Sequence, residues 1–394
     1  MTRITIRPAE TPRQKRRFLT FPWRIYRGDP LWVPPLLPER AKLIDPRQGA
    51  FFQRGDAEFF IAWRAGRPVG TICCAEDHAA HAAHAWRDAL IGFFECIDDE
   101  TVARALFDHA AAWAEARGLD ALYGPFNLDY EDAYGVLIEG RDRPPTIFCG
   151  HTPPYYQGLF EGYGFEPGRD DNLAFAVDLD LSAAPLQRLA RIAERVQQRG
   201  RFRVRSADLD HWEREIDVVH GLINRSLQHL RGHIPWRREA LEALLAPFKE
   251  IADPELILFA ETAEGEAVGW FPGLPNLNEA LIRANGLRYP WNAIQAKWAL
   301  RQKPACLAIK SVLVPPEYWD SGVAALLFDE MAHRAAAKGY RWVDLSLTSE
   351  ENPRTPMLAS HMGATVYKRY RVYRKWLRVG YQGSISEWGR DTRE

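Results

Sequence analysis

Two stretches decide the fold: LFDHAAAWAEARGLDAL, from Leu106 to Leu122, and LFDEMAHRAAAKGYRWVDL, from Leu327 to Leu345. Each opens on Leu-Phe-Asp, runs through an alanine-rich segment, meets a glycine ten residues after the aspartate (Gly118, Gly339) and ends in an apolar run. Val102, Leu106 and Trp113 fall on one helical face, as do Val323, Leu327 and Met331. A glycine just past such a segment suits the left-handed residue that ends a helix. Each stretch therefore predicts a helix followed by a strand.

The likeness extends outward from both. Upstream, EFFIAWRAGRPVGTI from Glu58 and ELILFAETAEGEAVGWF from Glu255 each read as an apolar strand, a turn at Gly66 or Gly265, and a second strand entered through Val-Gly (Val69-Gly70, Val268-Gly269). That is the pattern of a β-hairpin. Downstream, GYGF and HMGA place glycines at Gly164 and Gly363 before a last strand. The chain is an internal duplication, each half ordered hairpin, strand, helix, strand, helix or turn, strand. The first half carries extra residues over FNLDYEDAYGVLIEGRDRPPTIFCGHTPPYY, the second over NLNEALIRANGLRYPWNAIQAKWAL. A linking helix, PLQRLARIAERVQQRG, sets the expected boundary near Ala184, giving domains 1–184 and 185–380 and a polar tail 381–394. The opening FPWRIYRGDPLWVPPLLPER is too rich in proline for regular helix and too apolar to float free. It is expected to pack across the body of the protein and bridge the two domains.

Length, composition and charge agree with two globular domains: 394 residues, 46% hydrophobic, 26% charged, net charge −1. This balance supplies no overall field for nucleic acid or anionic membrane. No apolar run is long enough to span a bilayer, and MTRITIRPAETPRQKRRF lacks the apolar stretch of a secretory signal. The five cysteines (Cys73, Cys74, Cys96, Cys149, Cys306) are odd in number and form no CxxC pair. They predict buried thiols in a reducing cytoplasm rather than disulfides or zinc ligands.

Hairpin, strand, turn, helix, strand, helix, strand is the order of the GNAT superfamily of acyl-CoA N-acyltransferases, which both halves resemble. The motif is strongest at AIKSVLVPPEYWDSGVAALLF, from Ala308 to Phe328. The resemblance implies an α/β fold of two tandem GNAT-like domains, each a mixed, mostly antiparallel sheet flanked by helices. It implies acetyl-CoA or a longer acyl-CoA as donor, and as acceptor an amine of a small molecule or peptide. Val312, Leu313 and Val314 would pair with the pantetheine arm. Ser321, Gly322, Val323 and Ala324 would take the pyrophosphate at a helix N-terminus, where unpaired donors and the positive end of the dipole suit an anion. Asn352 fills the place of an asparagine common in that family.

There are departures. Trp319 stands where the family's loop has Arg or Gln, Asp320 adds a negative charge, and Ala359 occupies the slot of the family's general-acid tyrosine. The first half has no glycine loop, and Asp98 and Asp99 would cap its helix and repel an anion. It is read as the degenerate copy. A binding protein without catalysis, and transfer from a donor other than CoA as in the Fem-type aminoacyltransferases, are the competing readings.

Acceptor and catalytic groups are sought at strand ends. GPFNLDYEDAYG offers Asn127, Asp129, Tyr130, Glu131 and Tyr134, PPYYQGLF offers Tyr155 and Tyr156, and SLTSEEN offers Ser346 and Glu350. Asp129, Glu131, Tyr134 and Glu350 are the candidates for proton transfer, and Asn127, Tyr130, Tyr155, Tyr156 and Ser346 for substrate contact. HAAHAAH (His78, His81, His84), beside Glu76 and Asp77, would make a metal-ligand stripe on a helix. An exposed hairpin tip is the expected reading, with no metal. YKRYRVYRKWLR from Tyr367 interleaves bases and aromatics but falls on the expected final strand, with its cations in solvent and no nucleic acid as partner. A homodimer is compatible with the sequence.

Overall fold

A computed structural model describes residues 3–83, 87–128, 134–229, 235–351, 359–360 and 362–377. The chain begins with β1 (Ile4–Pro8), α1 (Pro12–Thr20), α2 (Pro22–Ile25) and α3 (Leu37–Leu43). There follow β2 (Gly55–Arg64), β3 (Arg67–Asp77), α4 (His78–Ala83), β4 (Asp88–Cys96), α5 (Glu100–Glu115), β5 (Ala121–Gly124), β6 (Val136–Glu139), α6 (Tyr156–Tyr163) and β7 (Glu166–Pro167). It continues through β8 (Asn172–Asp178), α7 (Ala184–Gln198), β9 (Phe202–Ser206), α8 (Trp212–Leu227), α9 (Arg238–Lys249), β10 (Ile257–Thr262) and β11 (Ala267–Pro275). The remaining elements are α10 (Asn278–Ala284), α11 (Pro290–Ala299), β12 (Cys306–Ile309), α12 (Val323–Ala337), β13 (Trp342–Ser349), β14 (Thr365–Arg371) and β15 (Tyr373–Trp376).

These elements form two compact units. The first comprises Met1–Asp171, Ala284–Gln295 and Tyr370–Glu394, the second Asn172–Arg283 and Ala296–Arg369. The first unit's sheet runs β1-β2-β3-β4-β5-β15-β7 and is antiparallel apart from the β4–β5 pair. In the second unit the order is β14-β8-β13-β12-β11-β10-β9, with β12–β13 parallel. A parallel pair needs a crossover, and α5 and α12, the two alanine-rich helices, supply it. The strands that end the sequence repeats have changed places. β8, the end of the first repeat, lies beside β13 in the second unit, and β15, the end of the second, lies beside β5 in the first.

The duplicated residues do the same work in both units. A Cβ on Gly70 would lie 2.7 Å from Leu106 Cδ1, and one on Gly269 2.8 Å from Leu327 Cδ1. Each Val-Gly thus exists to let the leucine of the alanine-rich helix close on the sheet. Gly118 and Gly339 are left-handed (φ 68° and 83°). Beyond them Leu119 N–H donates to the Ala114 carbonyl and Tyr340 N–H to the Ala335 carbonyl, as in a helix-ending glycine motif. In the first unit, side-chain alternation sends Cys74 into the α5–α6 core with Leu106, Phe107 and Phe160, and Cys73 into the α1 core with Phe18 and Phe59. All five cysteines are free and buried. Among the described residues no helix is long and apolar enough to cross a membrane.

Two expectations need correction. The proline-rich opening is helical over Pro22–Ile25 and Leu37–Leu43, because a proline stands in the first turn of each, where its missing N–H has no intrahelical partner to lose. The cations of the last strands are not all in solvent: Lys368 is fully buried and Arg374 is 8% exposed. Arg374 donates to Asp88 at 2.6 Å and Arg371 to Asp171 at 2.9 Å.

A fragment ending at Ala184 lacks β15, and one beginning at Pro185 lacks β8. Each expressed alone is expected to stay unfolded by circular dichroism, and mixing the two during refolding to restore a cooperative melt. A cooperative melt from either fragment alone would contradict the strand exchange.

Candidate active site

In the second unit, β12 pairs with β11 up to Ile309↔Gly273, and the next pairing is Leu313 with Trp270. Four steps on one strand answer three on the other, so residues 310–312 hold a one-residue bulge. On its other edge β12 runs parallel to β13 only to Ile309↔Leu345, while β13 continues beside β8 to Ser349↔Asn172. The two strands part beyond Ile309 and Leu345. The edge of 310–314 faces the opening, with Leu313 buried in the core over α8 and Val314 in the core under α12.

A short 3-10 turn, Pro316–Ser321, leads from this edge to α12. Gly322, at φ 88°, is the N-cap and has no side chain of its own to cap the helix. Ser321 Oγ donates to the Tyr318 carbonyl at 2.5 Å and accepts from Val323 N–H at 3.3 Å. A Cβ on Gly322 would sit 2.4 Å from Val196 Cγ2. The glycine is therefore required by its backbone conformation and by the approach of α7, whatever α12 binds. Asp320 is exposed. Trp319 is half-buried, turns its indole N–H onto the Val314 carbonyl at 2.8 Å and meets the His229 ring edge-on at 4.8 Å.

Where the strands part lies a buried polar network. Lys310 Nζ donates to Asp344 Oδ2 and to Ser346 Oγ, both at 2.6 Å, and Tyr367 OH donates to Asp344 Oδ1 at 2.6 Å. Ser346 Oγ also lies 2.7 Å from Asp344 Oδ2. Strand alternation explains the grouping: Val343 and Leu345 enter the α12 core, leaving Asp344 and Ser346 on the other face. A carboxylate fully withdrawn from water persists only when paired and hydrogen-bonded, which Lys310 and Tyr367 accomplish.

The first unit repeats this plan and closes it. Its β3–β4 register passes from Cys73↔Gly92 to Thr71↔Glu95, again one residue too many on β4. Here the strand edge is taken: Phe126 N–H donates to the Ile91 carbonyl at 2.7 Å, and Asn127 Oδ1 accepts from Phe93 N–H at 2.8 Å. Asp99 caps α5, accepting from Thr101 and Val102 N–H, and binds Arg64 at 2.6 Å. The N-terminus of α5 is thus occupied by its own carboxylate.

The register puts Glu95 where the second copy has Leu313. Tyr156 OH donates to Glu95 Oε2 at 2.6 Å and accepts from Cys96 N–H at 2.9 Å. Tyr155 OH donates to the Cys96 carbonyl at 2.7 Å, and Tyr26 OH to the His151 carbonyl at 3.0 Å. Burial raises the Glu95 pKa to about 8, against the pull of the two tyrosine hydroxyls. Burial, then the neighbouring Glu95, raises the Tyr156 and Tyr26 hydroxyls well above the ordinary range.

Of the expected site residues, Ser346 joins the Lys310 network, while Asn127, Tyr155 and Tyr156 all bond around β4 of the first unit. Tyr134 lies under the Arg169 guanidinium at 5.2 Å. Glu350 is paired with Arg369 at 2.8 Å. Asp129, Tyr130, Glu131 and Asn352 lie outside the described residues. The histidine stripe does start a helix, α4. His81 and His78 bring Nδ1 to 3.3 and 3.6 Å from Glu76 Oε1. Arg87 already binds that oxygen at 2.9 Å, and His84 is outside the described residues. Sequence reasoning missed Glu95, Lys310, Asp344 and Tyr367. The usable signal was a lone acid inside an apolar strand, as in LIGFFEC and WVDLSL.

Glu95 titrates near 4.5 when unfolded and near 8 in the fold. Between those values the folded chain holds a proton that the unfolded chain has released, so stability falls as pH rises through that window and levels off above it. Denaturant titrations from pH 5 to 8 are expected to show this slope, at most about 1.4 kcal/mol per pH unit. Glu95→Gln is expected to remove it, and an unchanged slope in the variant would refute the assignment.

No family model matches the sequence. The chain is 30% identical to the bacterial ceramide synthase of Caulobacter vibrioides over 387 residues, 95% of this chain and 98% of that protein. It is 28% identical to protein YghO of Escherichia coli over 91% of this chain and 92% of that one. Among solved structures, a tandem GNAT protein from the clavulanic acid biosynthesis pathway matches at TM-score 0.56 and 13% identity, covering 96% of this chain and 99% of that chain. With two sheets that each carry one crossover helix over one parallel pair, the chain has the tandem GNAT fold, and it belongs to the family of the Caulobacter bacterial ceramide synthase.

Proposed function

We propose that the chain moves an acyl group from a CoA thioester to the primary amine of a long-chain amino alcohol. The observation that carries this reading is the parting of β12 and β13 beside an α12 N-terminus whose N-cap, Gly322, has no side chain. Leu313 commits both backbone groups to Trp270, so the edge groups of Val312 and Val314 would pair with the pantetheine arm. Backbone N–H groups from Ser321 to Ala324 would receive the pyrophosphate, Val323 N–H turning from Ser321 Oγ to do so. Asp320 is exposed. The amine nitrogen attacks the thioester carbonyl, the C–S bond breaks, and the CoA thiol leaves with the proton the amine gives up. Lys310, held by Asp344 at the parting of the strands, would stabilise the negative charge that develops on the carbonyl oxygen.

The name of the Caulobacter relative supports the acceptor class, since a ceramide is a long-chain amino alcohol acylated on nitrogen, and favours a long acyl chain over acetyl. The five buried thiols agree with a reducing cytoplasm. The bond from Trp319 to the Val314 carbonyl favours a second reading, a non-catalytic binding protein, because it occupies one acceptor of the strand edge.

Calorimetric titration with acetyl-CoA and a long-chain acyl-CoA separates the two. Binding is expected, tighter for the long chain, and weakened at least about tenfold by Ala324→Asp, which sets a carboxylate against the dipole. Gly322 is the wrong position for this test, because any side chain there strikes Val196. Replacing Lys310 by Met together with Asp344 by Asn avoids a lone buried charge, and is expected to lower kcat about a hundredfold with CoA affinity retained. Absence of binding with every CoA thioester would remove the acyltransferase reading.

A further inference from the structure

A different surface carries an inference of its own, independent of the acyl-transfer reading. Among the described residues eight large hydrophobic side chains are exposed, and five of them fall between residues 289 and 300. They are Tyr289 (40%), Trp291 (56%), Ile294 (73%), Trp298 (55%) and Leu300 (52%). Trp291, Ile294 and Trp298 are spaced i, i+3, i+7 on α11 and form one stripe. Asn292 and Ala299, each 3% exposed, hold another side of the same helix against the protein. The stripe is therefore the outward side of an anchored helix.

Along the sequence, the charge of this segment is one-sided. From Leu281 to Ala305 the sequence holds Arg283, Arg288, Lys297, Arg301 and Lys303 and no aspartate or glutamate, in a chain whose net charge is −1. Arg283 lies over the Trp298 ring at 5.5 Å, and Arg288 over Tyr289 at 5.4 Å. Exposed tryptophans between cations match the depth profile of a bilayer surface, with rings at the headgroup level and ammonium or guanidinium groups among the phosphates. A second copy of this chain is a poorer occupant, because an isologous contact would bring the same five cations together.

We propose that α11 and its flanks dock the protein on an anionic lipid surface, with Trp291, Ile294 and Trp298 entering the headgroup layer. The helix lies on the membrane, in keeping with the absence of a spanning helix among the described residues. The whole-chain charge conceals this patch, since the acids that cancel it lie elsewhere in the sequence.

Co-sedimentation of the full chain with vesicles tests it. Vesicles of phosphatidylcholine with about a third phosphatidylglycerol are expected to bind the protein, phosphatidylcholine alone to bind it weakly, and salt to release it. Trp291→Ser with Ile294→Ser and Trp298→Ser, at an unchanged melting temperature, is expected to abolish binding. Lys297→Glu with Arg301→Glu is expected to weaken it at least about tenfold. Binding that survives the triple substitution, or no binding to anionic vesicles, overturns the proposal. So does a dimer seen by light scattering that the triple variant loses while vesicles bind neither form, which would assign the face to a second copy.

Discussion

The buried contact between Arg374 and Asp88 holds the last described strand of the chain inside the sheet begun by the first. Both side chains are at most 10% exposed, at 2.6 Å, and the guanidinium also lies over Tyr123 at 4.5 Å. Burial raises the Asp88 pKa despite the arginine beside it, so attraction does not fully offset the loss of water. Such a pair adds little net stability, yet losing one partner leaves a buried charge at a cost of about 3–5 kcal/mol. Its effect is selective: a strand in another register strands both charges. Because β15 must arrive from beyond residue 370, the first unit cannot close its sheet until the second repeat has been made.

The two copies have used one scaffold for different ends. Both carry a bulge one strand away from the Val-Gly hairpin, and both follow it with a turn and a crossover helix. In the second copy the bulge opens an edge, because β13 follows β8 and leaves β12. The first copy refills that edge with the backbone of Phe126 and the side chain of Asn127, and Asp99 occupies the helix N-terminus. Helix α12 starts at Gly322, which brings no side chain, and only the neutral Ser321 hydroxyl meets its first N–H. One residue type at one cap decides whether the helix dipole faces its own carboxylate or an outside anion.

Which parts were legible follows from what each part needs. The repeats were readable because a leucine closing on a glycine leaves a fixed pair in the sequence, Gly70 with Leu106 and Gly269 with Leu327, and helix ends leave a glycine in fixed register. The degeneracy of the first copy was readable from Asp99. The exchange of β8 and β15 was not, since strand period and burial are the same whichever sheet receives a strand. The helical turns at Pro22 and Leu37 were hidden by prolines that break a helix interior but start one well. The polar network was hidden for another reason. Lys310, Asp344, Ser346 and Tyr367 meet only because strands 306–309, 342–349 and 365–371 lie near one another in the second unit's sheet. No local spacing records that.

Glu95 and Leu313 make the final point. The register places them at the same position past the bulge, one a carboxyl kept protonated by burial and clasped by Tyr156, the other an ordinary core leucine. Opening an edge for a ligand constrains the backbone after the bulge and favours an inert side chain that simply packs. Once Phe126 and Asn127 fill the equivalent edge, the backbone is fixed by internal bonds. The side chain there is then free to be polar, provided its hydrogen bonds are met. The hydroxyls of Tyr156 and Tyr26 meet them. Duplication thus left one copy with the parted strand edge that a thioester arm would need, while the other turned the same position into a buried, hydrogen-bonded anchor for its own aromatic core.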